Sequence, residues 1–224
     1  MKLLKLPYNE AKPLIRDGDI LLQRGKSTIS KFLKISGKGA YSHAGVASWV
    51  GGSLEILQFR EFRGGEALSF SSQVRRFPGQ WDVFRPSENA EILYFDGKAV
   101  QRMEVKTDPV SVCHFFRQHT GTSYGWGNIF FASLRHLFFV RLFFPAEIND
   151  LSNSKSPPYC SQAIATCWRL THTYKLESGQ TVHLDLVPRL ADWLTEPSDL
   201  SRSTLLNYLF TVGKDKGKKE QIVW

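Results

Sequence analysis

The sequence predicts an α+β fold, an antiparallel sheet packed against helices. Two observations carry this. Short runs of apolar and β-branched residues separated by turn signals come first, most clearly from Tyr41 to Leu57, where two such runs flank Gly51-Gly52. Segments of helical length without Gly or Pro come later, from Val110 to Thr120 and from Cys160 to Leu170. In chain order, Asp17 to Gln23 reads as a strand, and Asp17 and Asp19 around Gly18 as the turn that starts it. Thr28 to Ile35 reads as a short helix with Ser27 as N-cap. Gly37-Lys38-Gly39 turns into the strand that opens at His43. Leu54 to Phe62 and Ala67 to Phe70 extend the sheet around Gly64-Gly65, and Trp81 to Arg85 forms a strand closed by Pro86. The helix from Val110 stops at Gly121. Asn149 to Ser156 is polar and reads as an exposed loop. Val187 to Ser198 reads as irregular, with a helical turn around Leu190 to Leu194.

The chain has 224 residues, of which 42% are hydrophobic and 22% charged, enough for one sizeable core. No linker divides it, so residues 1–212 are expected to form one domain and 213–224 a flexible basic tail. Much of the net charge of +8 lies in Lys214-Asp215-Lys216-Gly217-Lys218-Lys219, with Arg60, Arg63 and Arg75-Arg76 adding to it. This balance favours contact with a membrane surface or an anionic polymer. Nucleic acid is disfavoured, because no basic motif is interleaved with aromatic residues.

The thiol of Cys160 is the first candidate for chemistry. It follows Pro157-Pro158, which cannot continue a preceding helix, and it opens the helical segment in which Ala163, Ile164, Cys167 and Trp168 share a face. Unpaired N–H groups and the dipole at a helix start favour an anion, which lowers a thiol pKa. A lone cysteine there is more often an inert core residue, so the reading depends on a base. His43 supplies one, at the start of the first strand of the Gly51-Gly52 hairpin. A third polar group should fix its tautomer. A two-residue turn pairing Val50 with Ser53 puts Gln58 on the face of His43, and a register shifted by one residue puts Glu55 there. Both side chains are competent, and the pattern leaves the choice open.

Four segments carry a resemblance to the circularly permuted branch of the NlpC/P60 superfamily of papain-like cysteine hydrolases, the YiiX/YaeF-like amidases. Asp17-Gly18-Asp19-Ile20-Leu21-Leu22 resembles the opening strand of that group, and Tyr41-Ser42-His43-Ala44-Gly45-Val46 its histidine strand. Tyr159-Cys160-Ser161-Gln162 resembles its nucleophile segment, and Glu196-Pro197-Ser198-Asp199-Leu200 with Ser203 its C-terminal motif. The resemblance runs from about residue 14 to about residue 210. It implies a permuted papain-like fold with the nucleophile at a helix N-terminus. It also implies a catalytic set of Cys160, His43 and Glu55, the last because the superfamily's third polar residue falls twelve positions after the histidine. Gln162 departs from the acid common after Cys-Ser in that group. Tyr41, Gln58 and Gln162 are expected as substrate contacts, with Tyr41 and the Cys160 backbone N–H as oxyanion donors.

The expected reaction is acyl transfer through a thioester on an amide or peptide bond, for instance of a cell-wall peptide, without metal or organic cofactor. Two alternatives accompany it: a lipid-directed thiol acyltransferase or lipase, and a non-catalytic binding module in a larger assembly. The lipid reading comes from Ile129 to Phe144, an apolar run holding Phe130, Phe131, Phe138, Phe139, Phe143 and Phe144. With Arg135 and Arg141 it is too short and too charged to span a bilayer, and it reads either as core or as an interfacial lip. Cys113, Cys160 and Cys167 form no disulfide framework, which suits a reducing compartment. Met1 to Pro7 is too short for a signal peptide, so a cytoplasmic location is expected. Cys113-His114 with His119 lacks the paired spacing of a metal site.

Overall fold

The computed structural model describes residues 4–25, 40–60, 63–76, 79–122, 160–188, 190, 192 and 195–214. The expected helix at Thr28 to Ile35, the Phe-rich run 129–144, the loop 149–156 and almost all of the basic tail lie outside these residues. The elements in chain order begin with β1 (Lys5–Pro7), α1 (Tyr8–Ala11), a 3-10 turn (Lys12–Leu14), β2 (Ile20–Gly25), β3 (His43–Val50), β4 (Ser53–Arg60) and β5 (Gly64–Ser69). They continue with α2 (Phe70–Arg76), β6 (Gly79–Pro86), β7 (Asn89–Phe95), β8 (Val100–Lys106), α3 (Pro109–Gln118) and α4 (Cys160–Thr171). The last are β9 (Thr173–Lys175), β10 (Thr181–His183), α5 (Pro197–Leu200) and β11 (Leu206–Gly213).

The fold is α+β. Seven strands form one sheet in the order β1-β11-β6-β2-β3-β4-β5, antiparallel except where β1 runs parallel to β11. The pleat divides the apolar residues between two faces. Ile20, Leu22, Ala44, Val46, Leu57, Phe59 and Phe84 meet α3 and α4 through Val112, Phe116, Ile164 and Trp168. Leu21, Ala47, Leu54, Ile56, Trp81 and Val83 meet α1 and α2 through Tyr8, Ala11, Phe70 and Val74. Burial on both faces explains why β2 and β3 read as continuous apolar runs.

The hairpin β3–β4 closes through Gly51 and Gly52, both at positive φ (53° and 77°), so Val50 pairs with Ser53 and Gly45 with Gln58. A two-residue turn of this hand matches the twist of the strands. Gly45 is required for a different reason: a Cβ there would lie 2.5 Å from Ile56 Cγ1 and 2.9 Å from the Leu57 carbonyl oxygen. Helix α3 starts behind Asp108, whose carboxylate accepts from the Ser111 backbone N–H at 3.0 Å, with Pro109 in the first turn.

Several expectations shift. The strand expected from Asp17 starts at Ile20, because Asp17 and Asp19 serve the preceding turn: Asp17 Oδ1 accepts from the Trp49 N–H at 2.6 Å, and Asp19 accepts from the Arg16 N–H at 2.8 Å. Phe70 begins α2 instead of ending a strand. The hairpin β7–β8 and the strand β11 are elements that the sequence reading did not assign.

Candidate active site

His43 opens β3 and is buried, and its ring meets Trp81 edge to face with centroids 6.2 Å apart. Its Nε2 lies 2.8 Å from Gln58 Oε1. The Gln58 amide nitrogen donates to Glu66 Oε1 at 2.9 Å, and Glu66 stands directly opposite Gln58 on β5. Gln58 is fully buried and both ends of its amide are engaged. It is therefore a partner of the histidine, and its expected role as a substrate contact does not hold.

Glu55, expected to orient His43, lies elsewhere. The Val50–Ser53 register sets Glu55 opposite Ser48, on the other face of the hairpin. There its Oε2 accepts from Arg117 Nη2 of α3 at 2.7 Å, and the same nitrogen donates to Ser48 Oγ at 3.2 Å. The turn at Gly51-Gly52 holds two residues, and in that register Gln58, not Glu55, meets His43.

Cys160 is the first residue of α4 and is buried, 3% exposed. The helix lies against β3 and β4, and Cys160 belongs to the same core cluster as Tyr41, Ala44 and Leu57. Ser161 is fully buried and its Oγ donates to the Thr195 carbonyl at 2.7 Å, a structural commitment that leaves no hydroxyl nucleophile. Gln162, expected to touch substrate, is buried in the first turn of α4, 5% exposed. The other thiols differ in character. Burial, with Asp17 adding to it, pushes Cys113 up to about 11, and its Sγ lies 3.2 Å from the Ala47 carbonyl. Burial, reinforced by Asp192, pushes Cys167 far above the ordinary thiol range.

Tyr41 is not free to donate to an oxyanion, as had been expected. Its hydroxyl donates to Asp82 Oδ2 at 2.6 Å, and burial together with that bond holds its pKa far above the usual phenol value. Asp82 is fully buried on β6 and also accepts from Thr211 Oγ1 at 2.6 Å and Arg24 Nε at 2.7 Å. This cluster escaped the sequence reading. The signal available was a lone acid inside an apolar strand, which has to find partners when buried. The C-terminal motif joins the same region: Ser198 Oγ accepts from the Tyr41 N–H at 3.3 Å, and Ser203 Oγ donates to the Leu186 carbonyl. Two residues before His43, the chain is thus held from both sides.

No group of three or more His, Cys, Asp or Glu among the described residues is placed to hold a metal ion. No helix among them is long and apolar enough to cross a membrane.

The geometry defines an α+β sheet of this order that carries a buried imidazole–amide pair on β3 and β4, with a helix that begins on a thiol lying against the same two strands. No family model matches the chain, and no curated protein matches it. Among solved structures it is similar to the metalloprotein YiiX from Escherichia coli O157:H7, with a TM-score of 0.50 and 14% identity. That likeness covers 87% of this chain and 96% of the other. At such identity the likeness is one of fold.

Proposed function

We propose that the chain is a thiol hydrolase of the YiiX-like, circularly permuted papain class that acts on an amide or peptide bond. Cys160 serves as nucleophile, His43 as base and Gln58 as the group that orients His43. The observation that carries this reading is the buried hydrogen bond between His43 Nε2 and Gln58 Oε1, on a strand against which the Cys160 helix lies. A carbonyl oxygen accepts only, so Nε2 carries the proton and Nδ1 keeps the lone pair that takes a proton from the thiol.

In this mechanism the Cys160 sulfur forms a bond to the substrate carbonyl carbon as its proton passes to His43. The backbone N–H groups of the helix start stabilise the tetrahedral oxyanion. The C–N bond then breaks, and His43 gives its proton to the departing amine. Water, deprotonated by His43, releases the acid from the thioester and restores the thiol.

Differential alkylation tests the reading. Iodoacetamide should modify Cys160 at pH 7 at least tenfold faster than Cys113 or Cys167, because an ordinary thiol titrates near 8.5 and both others are held above that by burial. Cys160→Ser should abolish turnover of aminoacyl-amide and peptide substrates while leaving the far-ultraviolet spectrum unchanged. Equal labelling of the three folded-state thiols sinks the catalytic reading. Turnover of phospholipid esters in place of amides redirects it to lipid acyl chemistry.

A further inference from the structure

We infer that Glu66 is a positioning residue for this site, acting on His43 through the side-chain amide of Gln58. The inference rests on the hydrolase reading above and adds to it the source of the site's charge. Gln58 is an amide, and an amide in a buried slot can point either way: its oxygen and nitrogen occupy nearly the same space. What decides the orientation is the neighbour at the far end. Glu66 Oε1 lies 2.9 Å from Gln58 Nε2. An ionised carboxylate only accepts hydrogen bonds, so it selects the NH2 end of Gln58 and turns the carbonyl toward His43. The carbonyl in turn admits only the Nε2–H tautomer of the imidazole, 2.8 Å away. One carboxylate thus dictates, across two side chains, which ring nitrogen keeps the lone pair.

Two cationic side chains stand near Glu66. Arg60 Nε lies 3.8 Å from its Oε1 and Arg63 Nη1 lies 3.9 Å from its Oε2. Its side chain is 14% exposed, which limits screening of its charge by water. The sheet sets the spacing without adjustment: β5 pairs with β4 so that Glu66 faces Gln58 directly, with Arg60 opposite Gly64. A negative charge at the end of this relay also stabilises a protonated His43, and with it a Cys160 thiolate.

Two variants and two readouts test the inference. Glu66→Gln keeps size and hydrogen-bonding capacity but removes the charge and the one-way acceptor. The pH profile of Cys160 alkylation should move to higher pH, with a fall of about three- to tenfold in rate at pH 7, the size of a shift of up to one pKa unit. Glu66→Asp, which keeps the charge, should restore most of the rate. In 15N-histidine spectra the wild-type His43 should show the Nε2–H pattern, and Glu66→Gln a mixture of tautomers. An unchanged alkylation profile in Glu66→Gln, or an Nδ1–H tautomer in the wild type, overturns the inference. If wild-type Cys160 labels no faster than the other thiols, the hydrolase reading fails on its own, and the tautomer measurement still decides the role of Glu66.

Discussion

Glu55 and Gln58 stand three residues apart on one strand, and a single turn decides which of them meets the histidine. This yields a direct comparison. Glu55→Gln should leave Cys160 alkylation at its wild-type rate. It should cost less than about 1 kcal/mol of stability, because the Arg117 pair it breaks is partly exposed on both sides. Gln58→Leu is nearly isosteric but withdraws the acceptor from Nε2 and the donor from Glu66. It should slow Cys160 alkylation at pH 7 by about tenfold or more, since the imidazole loses the group that sets its tautomer. Rate measurements on the two variants side by side check this, and the opposite ranking returns the orienting role to Glu55. The residues themselves were legible in the sequence: His43, Cys160 and the two rival polar groups all stood out by type and spacing. Their pairing was not, because period-two alternation looks the same for a turn of two residues or three. The Asp82 cluster was hidden for another reason. Its partners Arg24, Tyr41 and Thr211 come from separate parts of the chain and meet only once the sheet has formed.

Among the elements, α4 contributes at both ends. Its first residue is the candidate nucleophile, and beyond its last turn stands His172, stacked on Trp168 with ring centroids 4.6 Å apart. His172 Nε2 accepts from the Asp108 backbone N–H at 2.8 Å, joining the end of α4 to the start of α3. Nδ1 lies 2.9 Å from the Trp168 carbonyl and donates to it. The neutral ring fits this geometry, and the charged ring does not, because protonated Nε2 would oppose a second donor. Burial accordingly lowers the His172 pKa, partly offset by the Trp168 carbonyl and by Asp108. The sign follows from linkage: the unfolded chain binds the proton more readily than the folded one. The contribution of His172 is therefore complete above about pH 6.5 and is lost as pH falls from there through the folded-state value, at up to about 1.4 kcal/mol per pH unit. Asp185 and Asp192, raised by burial, act in the opposite direction at lower pH. Urea unfolding at pH 7.5 and 5.5 should show wild type losing more stability than His172→Gln; equal losses refute the assignment. Helices α3 and α4 were visible in the sequence because they are long, apolar on one face and free of Gly and Pro beyond the first residue. The hairpin β7–β8 was not, since its alternation leaves Leu93, Phe95 and Val100 exposed and so blurs the apolar face.

At the scale of the whole molecule, the α+β class and the helix that opens at Cys160 followed from pattern, while the closing of the sheet did not. The strand β11 reads as an apolar stretch before a basic run, with no turn signal of its own. Yet it lies inside the sheet, between β1 and β6, and pairs with both. Its Thr211 also donates to Asp82, so it completes the buried cluster beside Tyr41. A chain ending before Leu206 should therefore lack cooperative thermal unfolding and elute as aggregate on size exclusion, because β6 is left as an open edge. A monomer with a sharp transition rules this out. The position of β11 also bears on how the protein is made. β1 and β6 are synthesised first, and the strand that must join them arrives about 130 residues after the start of β6. At roughly 5–20 residues per second this leaves β6 waiting for several seconds to about half a minute on each ribosome. During that interval the open edge of β6 is the nascent chain's exposed liability, and a chaperone that shields extended apolar segments would have its natural point of action there.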